Sequence, residues 1–230
     1  MKFHLLTIFP AFFEGPFRYG VVARAAEAGA LEMHVHDLRE WTHDVHRTVD
    51  DRPFGGGEGM VLKCEPIFDA VESIWPQRRP GQKVILLSAH GRRFTQSAAR
   101  RLAANDEILL ICGRYEGVDE RVAEHLADEE LSIGDYVLSG GELAAAVVVD
   151  TVARLLPGVV GNQDSTLNES FEESGILDCP HWTRPADFRG WRVPDVLIGG
   201  NHAEIRKWRL QAAREKTLRL RPDLLGQTAR

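Results

Sequence analysis

Two glycine-rich stretches carry the residue types from which a small-molecule site is built. Gly113-Arg114-Tyr115-Glu116-Gly117 follows an apolar run, and Ser132-Ile133-Gly134-Asp135-Tyr136-Val137-Leu138-Ser139-Gly140-Gly141-Glu142 leads into another. Glycine lets the backbone take a positive φ or approach a ligand closely, so such loops offer amides and carbonyls as the binding groups. The two loops read as strand-to-glycine-loop-to-helix units side by side, and an α/β sheet places its ligand crevice at such carboxyl ends of strands. Neither loop matches G-x-G-x-x-G or G-x-x-x-x-G-K-[ST], so neither a Rossmann dinucleotide site nor a P-loop is indicated, and a nucleotide hydrolase is discouraged.

A second group of chemically able residues lies in the polar and glycine-rich residues 38–62. His43 and His46 stand three apart with Asp44 and Asp50 nearby, types that a divalent metal accepts. No further ligands can be located around them, so no metal is assigned. A connection this long without regular structure is functional or disordered.

The elements that must position these groups alternate along the chain. Residues 3–9 predict a buried strand, and Pro10 starts the next element. A helix is expected over 19–28, ending at Gly29. Leu31, Met33 and Val35 alternate with Glu32, His34 and His36, the pattern of a half-buried strand. Helices follow over 66–75 and 95–104, strands over 83–88 and 107–112, then a helix from near Val118 and a long one over 143–156, closed by Pro157 and Gly158. This order predicts the α/β class, a parallel sheet covered by helices on both faces. Residues 1–160 form the predicted large domain, 161–174 a flexible linker and 175–230 a small helical domain. In the last, Asn201 is a predicted N-cap with Glu204 three residues on; Ile205, Trp208 and Ala212 share a core stripe while Arg206, Lys207, Arg209, Arg214 and Lys216 occupy the rest of the helix.

Composition sets the bounds. At 230 residues and 43% hydrophobic the chain can bury a substantial core. No apolar run reaches the roughly 18 residues of a membrane span, and the start runs directly into a strand, so a cytoplasmic protein without membrane partners is expected. Cys64, Cys112 and Cys179 are odd in number and far apart, which suits neither a disulfide framework nor a paired-cysteine zinc site; Cys112 reads as a small buried apolar residue. The net charge of −6 hides an asymmetry: residues 184–230 carry 11 Lys plus Arg against 5 Asp plus Glu, while the rest carries 17 against 29. On charge alone, a phosphate-binding surface and a solvated basic helix are both open.

Gly113-Arg114-Tyr115-Glu116-Gly117-Val118-Asp119-Glu120-Arg121, taken with residues 132–142, resembles the cofactor-binding signature of bacterial tRNA (guanine-N1)-methyltransferases, members of the SPOUT class of S-adenosylmethionine enzymes. The likeness continues through Thr48-Val49-Asp50-Asp51-Arg52-Pro53-Phe54-Gly55-Gly56-Gly57, then Asp178-Cys179-Pro180-His181-Trp182-Thr183-Arg184-Pro185, and ends in Gly200-Asn201-His202-Ala203-Glu204-Ile205-Arg206. It covers nearly the whole chain.

The resemblance implies a trefoil knot within residues 112–156 and transfer of a methyl group from S-adenosyl-L-methionine to N1 of the tRNA guanosine just 3′ of the anticodon, position 37. N1 carries a proton at neutral pH and negative charge builds on O6, so the chemistry needs a carboxylate and a cation. At the family's positions stand Glu169 as base, where the family usually has aspartate, and Arg154 as the O6 partner. The cofactor pocket implied comprises Leu87, Ser88, Gly113, Tyr115, Glu116, Ile133, Gly134, Asp135, Tyr136, Val137, Leu138, Gly140 and Gly141. The family usually has proline at Ala89 and Ala144. Implied tRNA contacts are His46, Arg47 and Asp50, with Arg206, Lys207 and Arg209 reaching phosphates. Glu116 is the candidate contact for Mg2+ during catalysis, and a homodimer with shared active sites is implied. The alternative is a non-catalytic tRNA-binding protein that keeps the fold.

Overall fold

The computed structural model describes residues 1–160, 169–171 and 175–226, and the chain divides into two compact units, Met1–Gly161 and Asn162–Arg230. The linker expected over 161–174 falls, apart from residues 169–171, outside the described residues.

In the first unit, strands β1 (Lys2–Thr7), β2 (Glu32–Asp37), β5 (Gln82–Arg93), β6 (Glu107–Cys112) and β7 (Glu129–Ser132) form one sheet in the order β2-β1-β6-β5-β7, every pair parallel. The central β6 shows why. Along Glu-Ile-Leu-Leu-Ile-Cys, Ile108, Leu110 and Cys112 enter one core cluster and Leu109 and Ile111 the other. A continuous apolar strand is stable only where both faces are covered. Helices α1 (Gly20–Glu27), α3 (Gln96–Ala103) and α5 (Glu142–Ala153) supply the first cluster; α2 (Cys64–Ile74) and α4 (Glu120–His125) supply the second. Leu109 and Leu110 are wholly buried, each worth about 2 kcal/mol of burial. This is the α/β architecture expected, and α3 starts at Thr95, whose hydroxyl caps the Ala98 amide.

The sheet departs from the expected bounds at two strands. Strand β5 runs to Arg93 rather than ending at residue 88, because its pairing with β7 breaks between Leu87 and Arg92 and then resumes. Residues 88–91 form the intervening excursion, and a β-carbon on Gly91 would sit 2.5 Å from the Leu131 nitrogen, so the two backbones pass too closely for a side chain. Strand β7 is the strand expected ahead of the second loop, though Glu-Glu-Leu-Ser has no apolar run to mark its bounds.

In edge strand β2, Val35 is 38% exposed, whereas His34 and His36 are half-buried and stack on His4 of β1, with centroid distances of 5.1 and 5.2 Å. The histidine face is thus partly covered too, by Trp75 against His4 and by Trp41 against His36, while on the other face Leu31 is buried and Met33 packs against the first core cluster, so β2 is the half-buried strand expected.

The polar residues 38–62 have little regular structure, a 3-10 turn (Leu38–Trp41) and a two-residue ladder, β3 (Asp50–Asp51) with β4 (Val61–Leu62). The second unit, expected as a small helical domain, also contains a hairpin, β8 (Asp187–Phe188) with β9 (Trp191–Arg192). Helices α6 (Asp195–Ile198) and α7 (His202–Leu220) follow. Asn201 caps α7 as expected, accepting from the Ala203 and Glu204 amides. Ile205, Trp208 and Ala212 are half-buried. Lys216, expected on the solvated basic face, is also half-buried, and its ammonium donates to the Asp178 carbonyl at 3.1 Å. Among the described residues no helix is long and apolar enough to cross a membrane.

Candidate functional site

At the carboxyl ends of β5, β6 and β7 lies a cleft of about 300 Å3, lined by the excursion at 87–90, the loop at 113–118 and the loop at 132–141. That volume is at the lower end of what small-molecule sites occupy.

The loop after β6 is held from outside. Tyr115 (φ +60) forms an isolated bridge with Val61, and the Glu116 amide donates to the Met60 carbonyl at 3.0 Å. Leu62 donates to Gly117 and accepts from Asp119, so β4 and the cleft loop are laced together. This brings Asp50, the partner of Leu62 in the ladder, to the cleft's edge. Partial burial, together with a hydrogen bond to the Asp50 carboxylate, pushes the Tyr115 phenol above its usual range.

The loop after β7 crosses the loop after β6 at contact distance. The Gly141 amide donates to the Gly113 carbonyl at 2.8 Å, and a β-carbon on Gly141 would lie 2.7 Å from the Cys112 Cα. One on Gly140 would lie 2.2 Å from Arg114 Nε. Neither needs a positive φ, since Gly141 has φ −78; what both need is room for the chain's own crossing. Gly134 differs, with φ +156 and the Tyr136 ring 2.4 Å from where its β-carbon would be.

Beneath the crossing is a polar network of distant residues. Glu142, the first residue of α5, is 1% exposed. Its Oε1 accepts from the Thr7 hydroxyl at 2.7 Å and from Arg114 Nε at 3.1 Å. Arg114 Nη2 stands 2.8 Å from Oε2, an ion contact set off the line of a hydrogen bond. Arg114 also donates to the Ser139 carbonyl at 3.1 Å and lies over the Phe9 ring at 4.6 Å. One arginine thus ties both loops to the end of β1. Next to it, burial first and the Glu142 charge second push the Cys112 thiol well up, so it is an inert core residue as expected.

The cleft gathers Leu87, Ser88, Gly113, Tyr115, Glu116, Ile133, Gly134, Tyr136, Val137, Leu138, Gly140 and Gly141 from the expected set. Asp135 is not among its lining residues; its carboxylate pairs with Arg93. Ala89, His90 and Glu130 line the cleft unanticipated, because the excursion in β5 and the bounds of β7 were not read. Arg154 caps the C-terminal end of α5 and lies outside the lining. Glu169 belongs to the second unit and is half-buried.

His46 is exposed in a turn held by Asp44, whose carboxylate is kept low by hydrogen bonds, largest from Thr48. Arg47 sits at φ +53 and donates to the Arg39 carbonyl. His43 pairs with Asp69, so the histidines and aspartates of 43–50 do not converge as metal ligands. Arg206, Lys207 and Arg209 are exposed on α7.

The arrangement can hold a small molecule by loop backbone and apolar side chains, with no activated nucleophile among the lining residues. Comparison with known proteins then gives a consistent result. The family described as tRNA (Guanine-1)-methyltransferase TrmD matches residues 1–227. A protein of Koribacter versatilis called tRNA (guanine-N(1)-)-methyltransferase is 56% identical, covering 98% of this chain and 92% of its own length. Proteins of the same name from Dehalococcoides mccartyi and Geobacter metallireducens are each 51% identical over 98% of this chain, covering 90% and 91% of their own lengths.

Proposed function

The chain belongs to the tRNA (guanine-1)-methyltransferase family and is a tRNA (guanine-N1)-methyltransferase, and from that membership we propose that it uses S-adenosyl-L-methionine to methylate N1 of guanosine 37, just 3′ of the anticodon. The observation that carries the cofactor is the cleft: the two loops that resemble the family's cofactor signature are the ones that cross and line it.

The lining fits the proposed cofactor. Leu87, Ile133, Leu138 and Ala144 give apolar surface for a flat base, while the loop backbones supply donors and acceptors. Leu87 and Ser88, Gly113, and residues 133–138 would hold it, and when bound it supplies an electrophilic methyl group. The remaining steps belong to the chain's side chains. The Glu169 carboxylate accepts the N1 proton, and the Arg154 guanidinium donates to O6 as charge collects there, each acting where charge changes in the transition state. His46, Arg47, Asp50 and the basic residues Arg206, Lys207 and Arg209 contact tRNA. Mg2+ fits less well. Glu116 lines the cleft, but no two further acidic or histidine ligands reach it among the described residues, so no step is routed through that ion.

A cytoplasmic homodimer is part of the same proposal, as is the trefoil knot. On the outer stripe of helix α5, beside the exposed Asp150, Leu143 is 52% and Val147 44% exposed, which supports coverage by a second copy. The close crossing of residues 140–141 over 112–114 supports the knot. The test is incubation of tRNA transcripts with labelled S-adenosyl-L-methionine. Formation of 1-methylguanosine at position 37 is expected; tRNA binding without methyl transfer would identify a binder that keeps the fold.

A further inference from the structure

Every residue from 181 to 192 is exposed, and three of them are large aromatics: Trp182 at 48%, Phe188 at 51% and Trp191 at 67%. So much open aromatic surface in one short stretch marks an interaction site more often than chance. Phe188 and Trp191 are cross-strand partners in the β8–β9 hairpin, so their rings leave the same face, with centroids 6.0 Å apart. The Arg189 guanidinium lies over the Phe188 ring at 5.0 Å.

The turn residues Arg189 (φ +60) and Gly190 (φ +84) are both left-handed, as a type I′ hairpin requires. Asparagine, aspartate or glycine suits that first position; arginine is disfavoured there by its β-carbon. Asp187 accepts from the Gly190 amide at 2.9 Å and Arg192 stands 3.8 Å from Asp195, and Arg184, Arg189 and Arg192 against Asp187 leave residues 181–192 net positive. Mutual packing of the two rings explains why the hairpin forms. It does not explain Trp191's exposure or an arginine at the tip.

We propose that the β8–β9 hairpin is a stacking platform for an unpaired base of tRNA other than the methyl-accepting guanine, with Arg189 against the adjoining phosphate. Flat exposed rings flanked by guanidinium groups match what unstacked RNA offers, a π-face and an anion side by side. The proposal rests on the chain acting on tRNA.

The experiment measures tRNA transcript Kd, S-adenosyl-L-methionine affinity and self-association for the wild type, Trp191→Ala, Trp191→Phe and Arg189→Gly in the full chain. Trp191→Ala should weaken tRNA binding roughly 5- to 100-fold, with cofactor affinity unchanged, and Trp191→Phe should restore most of it. Arg189→Gly, which relaxes the turn, should keep or raise thermal stability while lowering the salt slope of tRNA binding by about one. Wild-type tRNA affinity in both Trp191→Ala and Arg189→Gly overturns the platform. Weakened self-association in Trp191→Ala, with wild-type tRNA affinity at concentrations where the dimer is restored, overturns it too and assigns the face to a second copy. If the wild type itself neither binds nor methylates the transcript, the tRNA methyltransferase reading fails first; an active wild type whose Trp191→Ala and Arg189→Gly variants match it in tRNA affinity refutes the platform alone.

Discussion

Glu142→Gln tests whether the buried network under the loop crossing sets the cofactor cleft. The substitution keeps the side chain's shape and leaves an oxygen for the Thr7 hydroxyl, but removes the charge opposite Arg114. The Glu142 side chain is 1% exposed and that of Arg114 21%, so solvent cannot replace the lost partner. Removing one member of a buried ion pair costs about 3–5 kcal/mol. Arg114 retains the Ser139 carbonyl at 3.1 Å and the Phe9 ring at 4.6 Å, which argues for the lower end, about 3 kcal/mol. Because Arg114 and Ser139 stand in the two loops that line the cleft, cofactor affinity should fall along with stability. Urea unfolding gives the first quantity and calorimetric titration with S-adenosyl-L-methionine the second. The double variant Arg114→Met/Glu142→Gln should lose less stability than the two single losses added, since neither then leaves a lone buried charge. A Glu142→Gln loss below about 0.5 kcal/mol, with cofactor affinity intact, would refute the argument, for it would place the pair among surface bridges of little worth.

Three further outcomes follow from the same structure. Gly141→Ala puts a β-carbon 2.7 Å from the Cys112 Cα and 3.0 Å from the Gly113 nitrogen, both backbone atoms, so it should cost about 3 kcal/mol or more and lower the melting temperature; a wild-type melting curve would contradict the crossing. Burial, then the neighbouring His36 and His34, lower His4 to a pKa of about 4 against Glu107's opposing pull, so the folded state holds His4 neutral and the unfolded state takes its proton first. Stability from this group is therefore complete above pH 6.5 and is lost as pH falls towards 4, by at most about 3 kcal/mol; the wild-type minus His4→Gln difference in unfolding free energy, measured across that window, should change by this amount and not stay flat. Glu169→Gln should slow single-turnover methyl transfer roughly a hundredfold or more while leaving cofactor affinity unchanged, and unaltered rates across the pH range would show that the proton leaves elsewhere.

What could be read from the sequence was whatever local pattern decides. Residues 108–112 are apolar without interruption, so strand β6 was legible to the residue, and Asn201 announced its helix by capping chemistry. The two cleft loops were legible because glycine clusters at a strand-to-helix transition have few other uses. Contacts between distant residues were not. Nothing near Glu142 signals that Thr7, 135 residues away, donates to it, so its position after a glycine pair read as an ordinary helix start. The added cover on the histidine face of β2 was not legible, because it is made by Trp41 and Trp75, which come from elsewhere in the chain. Strand β7 and the β8–β9 hairpin are short and polar, and only pairing makes them strands.

The central claim is methyl transfer to guanine N1 in tRNA, and the most direct measurement is mass spectrometry of nucleosides from a transcript incubated with the protein and S-adenosyl-L-methionine. The account predicts 1-methylguanosine, located at position 37 and absent when that base is adenosine. A methylated base elsewhere, or a transcript bound tightly and recovered unmodified, would contradict it.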